Sequence, residues 1–457
     1  MTRISRVLIA NRGEIALRVI RACREMDIET VLTVSEADRL SLPAQMADRS
    51  VCIGPPLSSE SYLKVDTIIA AAIGVGADAI HPGYGFLAEQ PELSKACAKY
   101  GLIFIGPRAE HIKQMGDKIF ARQVAVDTGI SIIPGSQLIG DYRQATEFAD
   151  QTGYPVLLKA AAGGGGKGMK IVKKPADLRV AFNEASAEAR SAFGDERLYL
   201  EHYIENARHV EIQLFGDGHG NVVHLFERDC SLQRRYQKLV EEAPSEALDP
   251  GLREKVCRAA VKIAAQIEYQ NAGTVEFIFD RDQEQFYFLE MNTRIQVEHP
   301  VTEQITGIDL VKEQFGVAAG NPLSFEQKDV NLVGHAIECR INAESPESNF
   351  WPSPGKIVQW IAPEGDNIRL DSHCFPGYVV PPFYDSLLGK IIVTGSSRSE
   401  AIAEMSAALR RFQISGIHTN IPFHRQIFDH PDYQTGEINT RWIESRLVKE
   451  PHFHEDD

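Results

Sequence analysis

Two strand-like runs and the segment that follows them constrain the fold of this chain most strongly. Thr274-Val275-Glu276-Phe277-Ile278-Phe279 is apolar enough for a buried strand, and residues 280–285 are polar enough to turn. The chain then runs back from Phe286 into Glu290-Met291-Asn292-Thr293-Arg294-Ile295-Gln296-Val297-Glu298-His299-Pro300. A hairpin centred on Gln283 sets Glu276 opposite Glu290. Side chains alternate along a strand, so Phe286, Phe288, Glu290 and Asn292 are expected on one face. Glu276, Glu290 and Asn292 then offer an all-oxygen set that suits Mg²⁺ or Mn²⁺. A solvated hairpin with ordinary charges fits less well. Val275, Ile278, Leu289 and Met291 imply a buried sheet, in which unpaired carboxylates are costly.

A second constraint is Gly163-Gly164-Gly165-Gly166-Lys167-Gly168, lying between the strand-like Pro155-Val156-Leu157-Leu158-Lys159 and residues 169–173. Consecutive glycines leave backbone N–H groups free to close over a polyphosphate. Lys159 supplies a point charge nearby. Gly168 stands where the G-x-x-x-x-G-K-[ST] pattern needs Ser or Thr, so this is not that phosphate loop. A flexible linker is the alternative, but linkers rarely interrupt a strand-loop-strand pattern. The reading is a mobile phosphate lid.

The remaining composition narrows the class. At 457 residues the chain has material for two to four domains. A net charge of −15 argues against a nucleic-acid surface, so anionic ligands need local cations such as Lys159, Lys167, Lys238 and Arg294. Seven scattered cysteines without a C-x-x-C pair read as reduced thiols of a cytoplasmic protein. No signal peptide opens the chain, and its longest apolar stretch, near residues 68–73, is too short to span a bilayer.

Along the chain, strands and helices alternate over the first hundred residues: strand 7–10, helix 14–26, strand 30–34, helix 62–73, a strand from Ala79, helix 91–100 and strand 102–105. That alternation predicts a parallel sheet between helical layers. A helical patch covers 109–128. Strands follow at 209–215 and 222–226, then a helix at 250–267 and the hairpin. Beyond about residue 331 short strands dominate, and only 398–412 reads as helical.

Six segments together carry a resemblance: Ile9-Ala10-Asn11-Arg12-Gly13-Glu14-Ile15-Ala16, His81-Pro82-Gly83-Tyr84-Gly85-Phe86-Leu87, Met115-Gly116-Asp117-Lys118, the glycine run, Glu227-Arg228-Asp229-Cys230-Ser231 and residues 290–300. In order and spacing they resemble the biotin carboxylase family of ATP-grasp ligases, from about residue 4 to 446. The resemblance implies an α/β and α+β multidomain chain. Residues 1–112 would form a Rossmann-like parallel-sheet domain and 113–330 an ATP-grasp domain with a mobile lid at about 130–203. Residues 331–446 would form a mainly β C-terminal domain with helices. The implied reaction is ATP-dependent carboxylation of biotin by bicarbonate through carboxyphosphate.

The resemblance also distributes roles. Lys118, Lys159, Gly165, Gly166, Glu201, His202, Tyr203, Ile204, His209 and Tyr236 would bind ATP, with Glu276, Glu290 and Asn292 holding a pair of Mg²⁺ or Mn²⁺ ions. Lys238, Arg294, Gln296 and the Val297 backbone would grip bicarbonate, and Glu298 would take its proton. Arg294 and Arg340 would stabilise the enolate-like ureido oxygen of biotin, with Tyr84 on the substrate loop. Each has a plainer alternative: Arg340 could pair with Glu338 or Glu344, His209 could be structural, and Cys230 reads as a small buried residue. Tyr236 and His202 depart from the commonest family pattern, which carries histidine or asparagine and lysine there.

A different acylphosphate-forming ATP-grasp ligase and a non-enzymatic ATP-binding module compete with this reading; Glu298 and Arg294 disfavour both. No Ala-Met-Lys-Met segment is present, so a separate biotin carboxyl carrier protein is expected, and the resemblance implies carboxyltransferase subunits and a homodimer as further partners. The setting would be acetyl-CoA carboxylase and fatty acid biosynthesis, with pyruvate, another oxo acid or another acyl-CoA as alternative final acceptors. Placing Val at Gly165 or Gly166 adds a β-branched side chain where backbone must approach phosphate. The expected result is a weaker apparent ATP affinity at nearly unchanged melting temperature; destabilisation with unchanged ATP affinity would make these glycines structural.

Overall fold

The computed structural model describes residues 3–161 and 169–448. Gly165, Gly166 and Lys167, and with them the whole glycine run at 163–168, lie outside the described residues. Near the N-terminus β1 (Arg6–Ile9), β2 (Glu29–Val34), β3 (Arg49–Cys52), β4 (Ala79–His81) and β5 (Ile103–Phe104) form a parallel sheet in the order β3-β2-β1-β4-β5. Both faces are covered, which is why β1 is a continuous apolar run. Val7 and Ile9 pack with Ile15 and Val19 of α1 (Gly13–Glu25), while Leu8 packs with Ile68, Ile69 and Leu93 on the other side.

The helical patch expected over 109–128 divides into Ala109–Gly116 and α2 (Lys118–Asp127). Asp117 causes the break: its backbone is extended, and its carboxylate accepts from the N–H groups of Ile119 and Phe120 as an N-cap. A small antiparallel sheet follows, β6 (Val156–Ala160), β7 (Lys170–Val172) and β8 (Leu198–His202), ordered β7-β6-β8. The helix Leu178–Phe193, which the sequence pattern does not announce, covers it through Leu178, Phe182, Ala185 and Ala189.

Eight strands make the largest sheet: β9 (Ala207–Asp217), β10 (Val222–Arg234), β11 (Gln237–Ala243), β12 (Gln270–Asp280), β13 (Gln285–Asn292), β14 (His335–Asn342), β15 (Ile368–Ser372) and β16 (Leu387–Gly395). Their order is β13-β12-β9-β10-β11-β14-β16-β15, so β11 and β14 join strands β9–β13 to the C-terminal strands in one continuous sheet. β10 extends eight residues past the expected end at Phe226, and β11 has no counterpart among the expected strands. The C-terminal region also holds helices Ile421–Asp429, Pro431–Gln434 and Trp442–Arg446 beside Arg398–Arg411, more than the one helix its sequence pattern suggests. Among the described residues no helix is long and apolar enough to cross a membrane.

The β12–β13 hairpin pairs Thr274 with Asn292, Val275 with Met291 and Glu276 with Glu290, the register centred on Gln283. A bulge then leaves Leu289 without a partner, and Phe277 pairs with Phe288. This corrects the expectation of a shared face. The extra residue reverses the alternation, so Phe286 and Phe288 enter the core with Phe277 while Glu290 turns to the opposite face with Glu276. Phe277 is wholly buried and meets Phe286 and Phe288 edge-on at 6.3 and 6.4 Å between ring centroids. Phe277→Ala is therefore expected to lower stability by about 3–5 kcal/mol, read as a reduced denaturation midpoint. A change below about 1 kcal/mol would mean this core does not support the hairpin.

Candidate active site

A cleft of about 2600 Å³ opens between the small sheet, the large sheet and the C-terminal strands. Its walls hold every described candidate: Tyr84, Lys118, Lys159, Glu201, His202, Tyr203, Ile204, His209, Tyr236, Lys238, Glu276, Glu290, Asn292, Arg294, Gln296, Val297, Glu298 and Arg340. On the small-sheet side, Glu201 is buried and ion-paired to Lys159 and, at 2.5 Å, to Arg122. The N–H groups of His202 and Tyr203 donate to the carbonyls of Pro134 and Pro155. Those two donors are held by the protein itself.

On the large-sheet side the charges converge on one ammonium. Lys238 of β11 lies 2.5 Å from Glu211, 3.0 Å from Glu276 and 2.7 Å from Glu298. Burial disfavours its charge, but the three carboxylates outweigh that and hold its pKa well above the ordinary lysine value. Burial would likewise push Glu298 up; Lys238 and then Arg340 reverse the direction and keep it ionised. Arg340 donates through Nη2 to Glu298 at 2.9 Å and through Nε to Glu241 at 2.6 Å. Its partners are thus neither Glu338 nor Glu344. Burial leaves Glu241 raised to about 7 despite Arg340. Cys230 is fully buried, and burial drives its thiol far above the usual range, as its reading as a small inert residue requires.

The hairpin pair tests the cation site. Glu276 Oε1 accepts from Asn292 Nδ2 at 2.7 Å and Gln296 Nε2 at 2.8 Å, and Oε2 faces His209 Nε2 at 3.0 Å. Burial opposes charging of His209, but Glu276 overrides it and lifts the imidazole to about 9. Glu290 lines the cleft at its exposed edge, where partial loss of surrounding water and then the charge of Glu276 raise its pKa. A carboxylate raised by a charged carboxylate facing it is what a hard cation relieves, so Glu276, Glu290 and the Asn292 carbonyl oxygen fit Mg²⁺ or Mn²⁺. The neighbouring triad His209, Glu211 and Glu276 does not need one, because the Lys238 ammonium already bridges its carboxylates.

The N-terminal sheet contributes from the far side. Arg294 donates to Glu89 at 2.8 Å and to Asn292 Oδ1 at 3.1 Å. Asn11, just beyond β1, donates to the carbonyls of Pro82 and Tyr84 at 2.7 and 2.8 Å, fixing the Tyr84 loop. Gly83 is required there: its φ is +63°, and a Cβ would lie 2.9 Å from Asn11 Nδ2.

Three family matches cover the chain: biotin carboxylase N-terminal domain over residues 3–112, carbamoyl-phosphate synthase L chain ATP-binding domain over 117–326 and biotin carboxylase C-terminal domain over 338–445. Biotin carboxylase 1 of Bacillus subtilis is 52% identical over 443 residues, 97% of this chain and 98% of that relative. The chain belongs to the biotin carboxylase family. It is accordingly an ATP-grasp ligase that carboxylates biotin at the expense of ATP. A pyruvate carboxylase subunit from Methanothermobacter thermautotrophicus is 51% identical, covering 96% of this chain and 89% of that relative. Among solved structures, the biotin carboxylase domain dimer of Hydrogenobacter thermophilus 2-oxoglutarate carboxylase, in complex with MgADP, ADP and bicarbonate, matches with a TM-score of 0.92. It is 46% identical, covering 97% of this chain and 98% of the other.

Sequence reasoning missed Arg228, Glu211, Glu241 and Glu89. Arg228 is wholly buried and donates to Glu211 and Gln296 at 2.5 Å, Gln213 at 2.7 Å, and Thr302 at 2.9 Å. The signal that could have found this cluster is the alternation His209, Glu211, Gln213, which puts three polar side chains on one strand face. Glu290→Gln should preserve the fold and reduce turnover by about 10²-fold at 1 mM Mg²⁺, partly recovering as Mg²⁺ is raised. Unchanged turnover in a steady-state assay would remove Glu290 from the cation site.

Proposed function

We propose that bicarbonate is activated at the Lys238 hub. Bicarbonate attacks the γ-phosphorus of ATP, forming carboxyphosphate and releasing ADP, while Glu298 takes the proton of the bicarbonate hydroxyl. Lys238, Arg294, Gln296 and the Val297 N–H hold the anion, with Arg294 exchanging Glu89 for it. Lys118, Lys159 and His209 offset charge on the phosphates, and Glu201, His202, Tyr203, Ile204 and Tyr236 line the nucleotide site. A divalent cation held by Glu276, Glu290 and Asn292 would neutralise phosphate oxygens as charge accumulates. The carboxyl group then passes to a ureido nitrogen of biotin as phosphate departs, and the released phosphate takes that nitrogen's proton. Arg340 and Arg294 stabilise the oxygen that becomes enolate-like, beside Tyr84. The carrying observation is the double grip on Glu298, one oxygen at Lys238 and the other at Arg340, which keeps a buried base ionised.

The biotin would arrive on a biotin carboxyl carrier protein, and separate carboxyltransferase subunits would use the product, this chain working as a homodimer. Acetyl-CoA is the proposed final acceptor. The relative named for pyruvate carboxylase supports pyruvate or another oxo acid as the alternative. Wild-type enzyme should cleave ATP only with bicarbonate, and faster with biotin. Glu298→Gln should lower that rate by about 10²–10⁴-fold with ADP binding retained, as for a lost general base. An unchanged rate removes Glu298 from the mechanism.

A further inference from the structure

We propose that Lys390, together with Glu14, is a positioning residue for the carboxylation centre: it fixes the Val297–Glu298 peptide and ties it to the Tyr84 loop. The inference rests on the role given above to Glu298. Lys390 lies on β16 in register with Arg340 on one side and Asp371 on the other, so the three charged side chains share a face of the sheet. Its side chain is wholly buried. Nζ donates to the Val297 carbonyl at 2.7 Å and lies 3.2 Å from Glu14 Oε1. That same Glu14 oxygen accepts from the Tyr84 hydroxyl.

The geometry separates this lysine from substrate. Neither Lys390 nor Glu14 lines the cleft, whereas Val297, Glu298 and Tyr84 all do. Lys390 therefore acts through the groups it holds. The Val297 carbonyl belongs to the peptide that leads into Glu298, the residue capping α3 (His299–Thr306). Lys238 and Arg340 fix the Glu298 carboxylate, and Lys390 fixes its main chain, so both ends of the base are set. Burial disfavours the Lys390 charge, but Glu14, Glu338 and Asp371 outweigh it, so the donor stays protonated. An apolar side chain would fill the same space without directing the carbonyl. A displacement of about 1 Å at a base is enough to lose about 10²-fold in rate.

The test uses the full chain as Lys390→Met and as the double variant Glu14→Gln/Lys390→Met, which removes both charges together. ADP release is followed against bicarbonate at saturating ATP with free biotin, and ADP affinity is measured separately by calorimetry. Both variants should lose about 10²-fold in kcat/KM for bicarbonate while ADP affinity stays within about twofold. A folded Lys390→Met enzyme with wild-type kcat/KM for bicarbonate overturns the proposal. So does a parallel loss of ADP affinity, because general loosening moves both. If Lys390→Met fails to fold, the double variant decides by the same readouts; failure of both to fold assigns the pair a structural role and overturns the positioning one. The wild type separates this from the parent reading. Without bicarbonate-dependent ATP cleavage in the wild type, the proposed function itself fails; with it, unaffected variants remove only the role of Lys390.

Discussion

One buried ammonium shared by three carboxylates organises this protein. Lys238 sits on β11, Glu211 on β9, Glu276 on β12, and Glu298 in the loop beyond β13. A lone carboxylate in that interior would be driven toward its neutral form. Three of them around one cation, with Arg228 and Arg340 behind, stay charged because each pair attracts through a poorly screening medium. The arrangement fixes strand order as well as chemistry. A register slip of one residue in β9 or β12 would turn Glu211 or Glu276 to the opposite face and leave Lys238 buried without its partners.

The remaining architecture delivers groups to that point from three directions. The parallel N-terminal sheet reaches in through Asn11, Glu89 and Tyr84, and the small antiparallel sheet through Lys159 and Glu201. The C-terminal strands bring Arg340 and Lys390 by continuing the sheet of the ATP-grasp strands across β11 and β14. A shared sheet transmits position rigidly, since neighbouring strands are held by ladders of backbone hydrogen bonds rather than by a linker.

That sheet also places carboxylates where burial wins. Glu241 and Glu338 are direct cross-strand partners on β11 and β14, and both are fully buried. Burial raises Glu338 far above the carboxylate range, while Arg340 limits the rise of Glu241 to about 7. The contrast with Glu298 lies in the number and distance of cationic partners, since all three groups are equally withdrawn from water.

Much of this was legible along the chain. Periodicity and the polar turn specify the β12–β13 register, because strand pairing is local and the turn sets it. Alternating apolar runs near the N-terminus specify the parallel sheet, and the family resemblance marks the residues that line the cleft. Where burial is decided by distant partners, local pattern fails. The end of β10 and all of β11 carry Glu227, Arg228, Asp229, Lys238 and Glu241, charges that read as surface until strands far away in sequence cover them. The bulge at Leu289 moves Glu290 away from the phenylalanine face, against the simple alternation of the sequence. The partners of Lys238, Arg340 and Lys390 were chosen by the folded chain alone, because a charge pairs with whatever is brought within about 3 Å of it, at any separation in sequence.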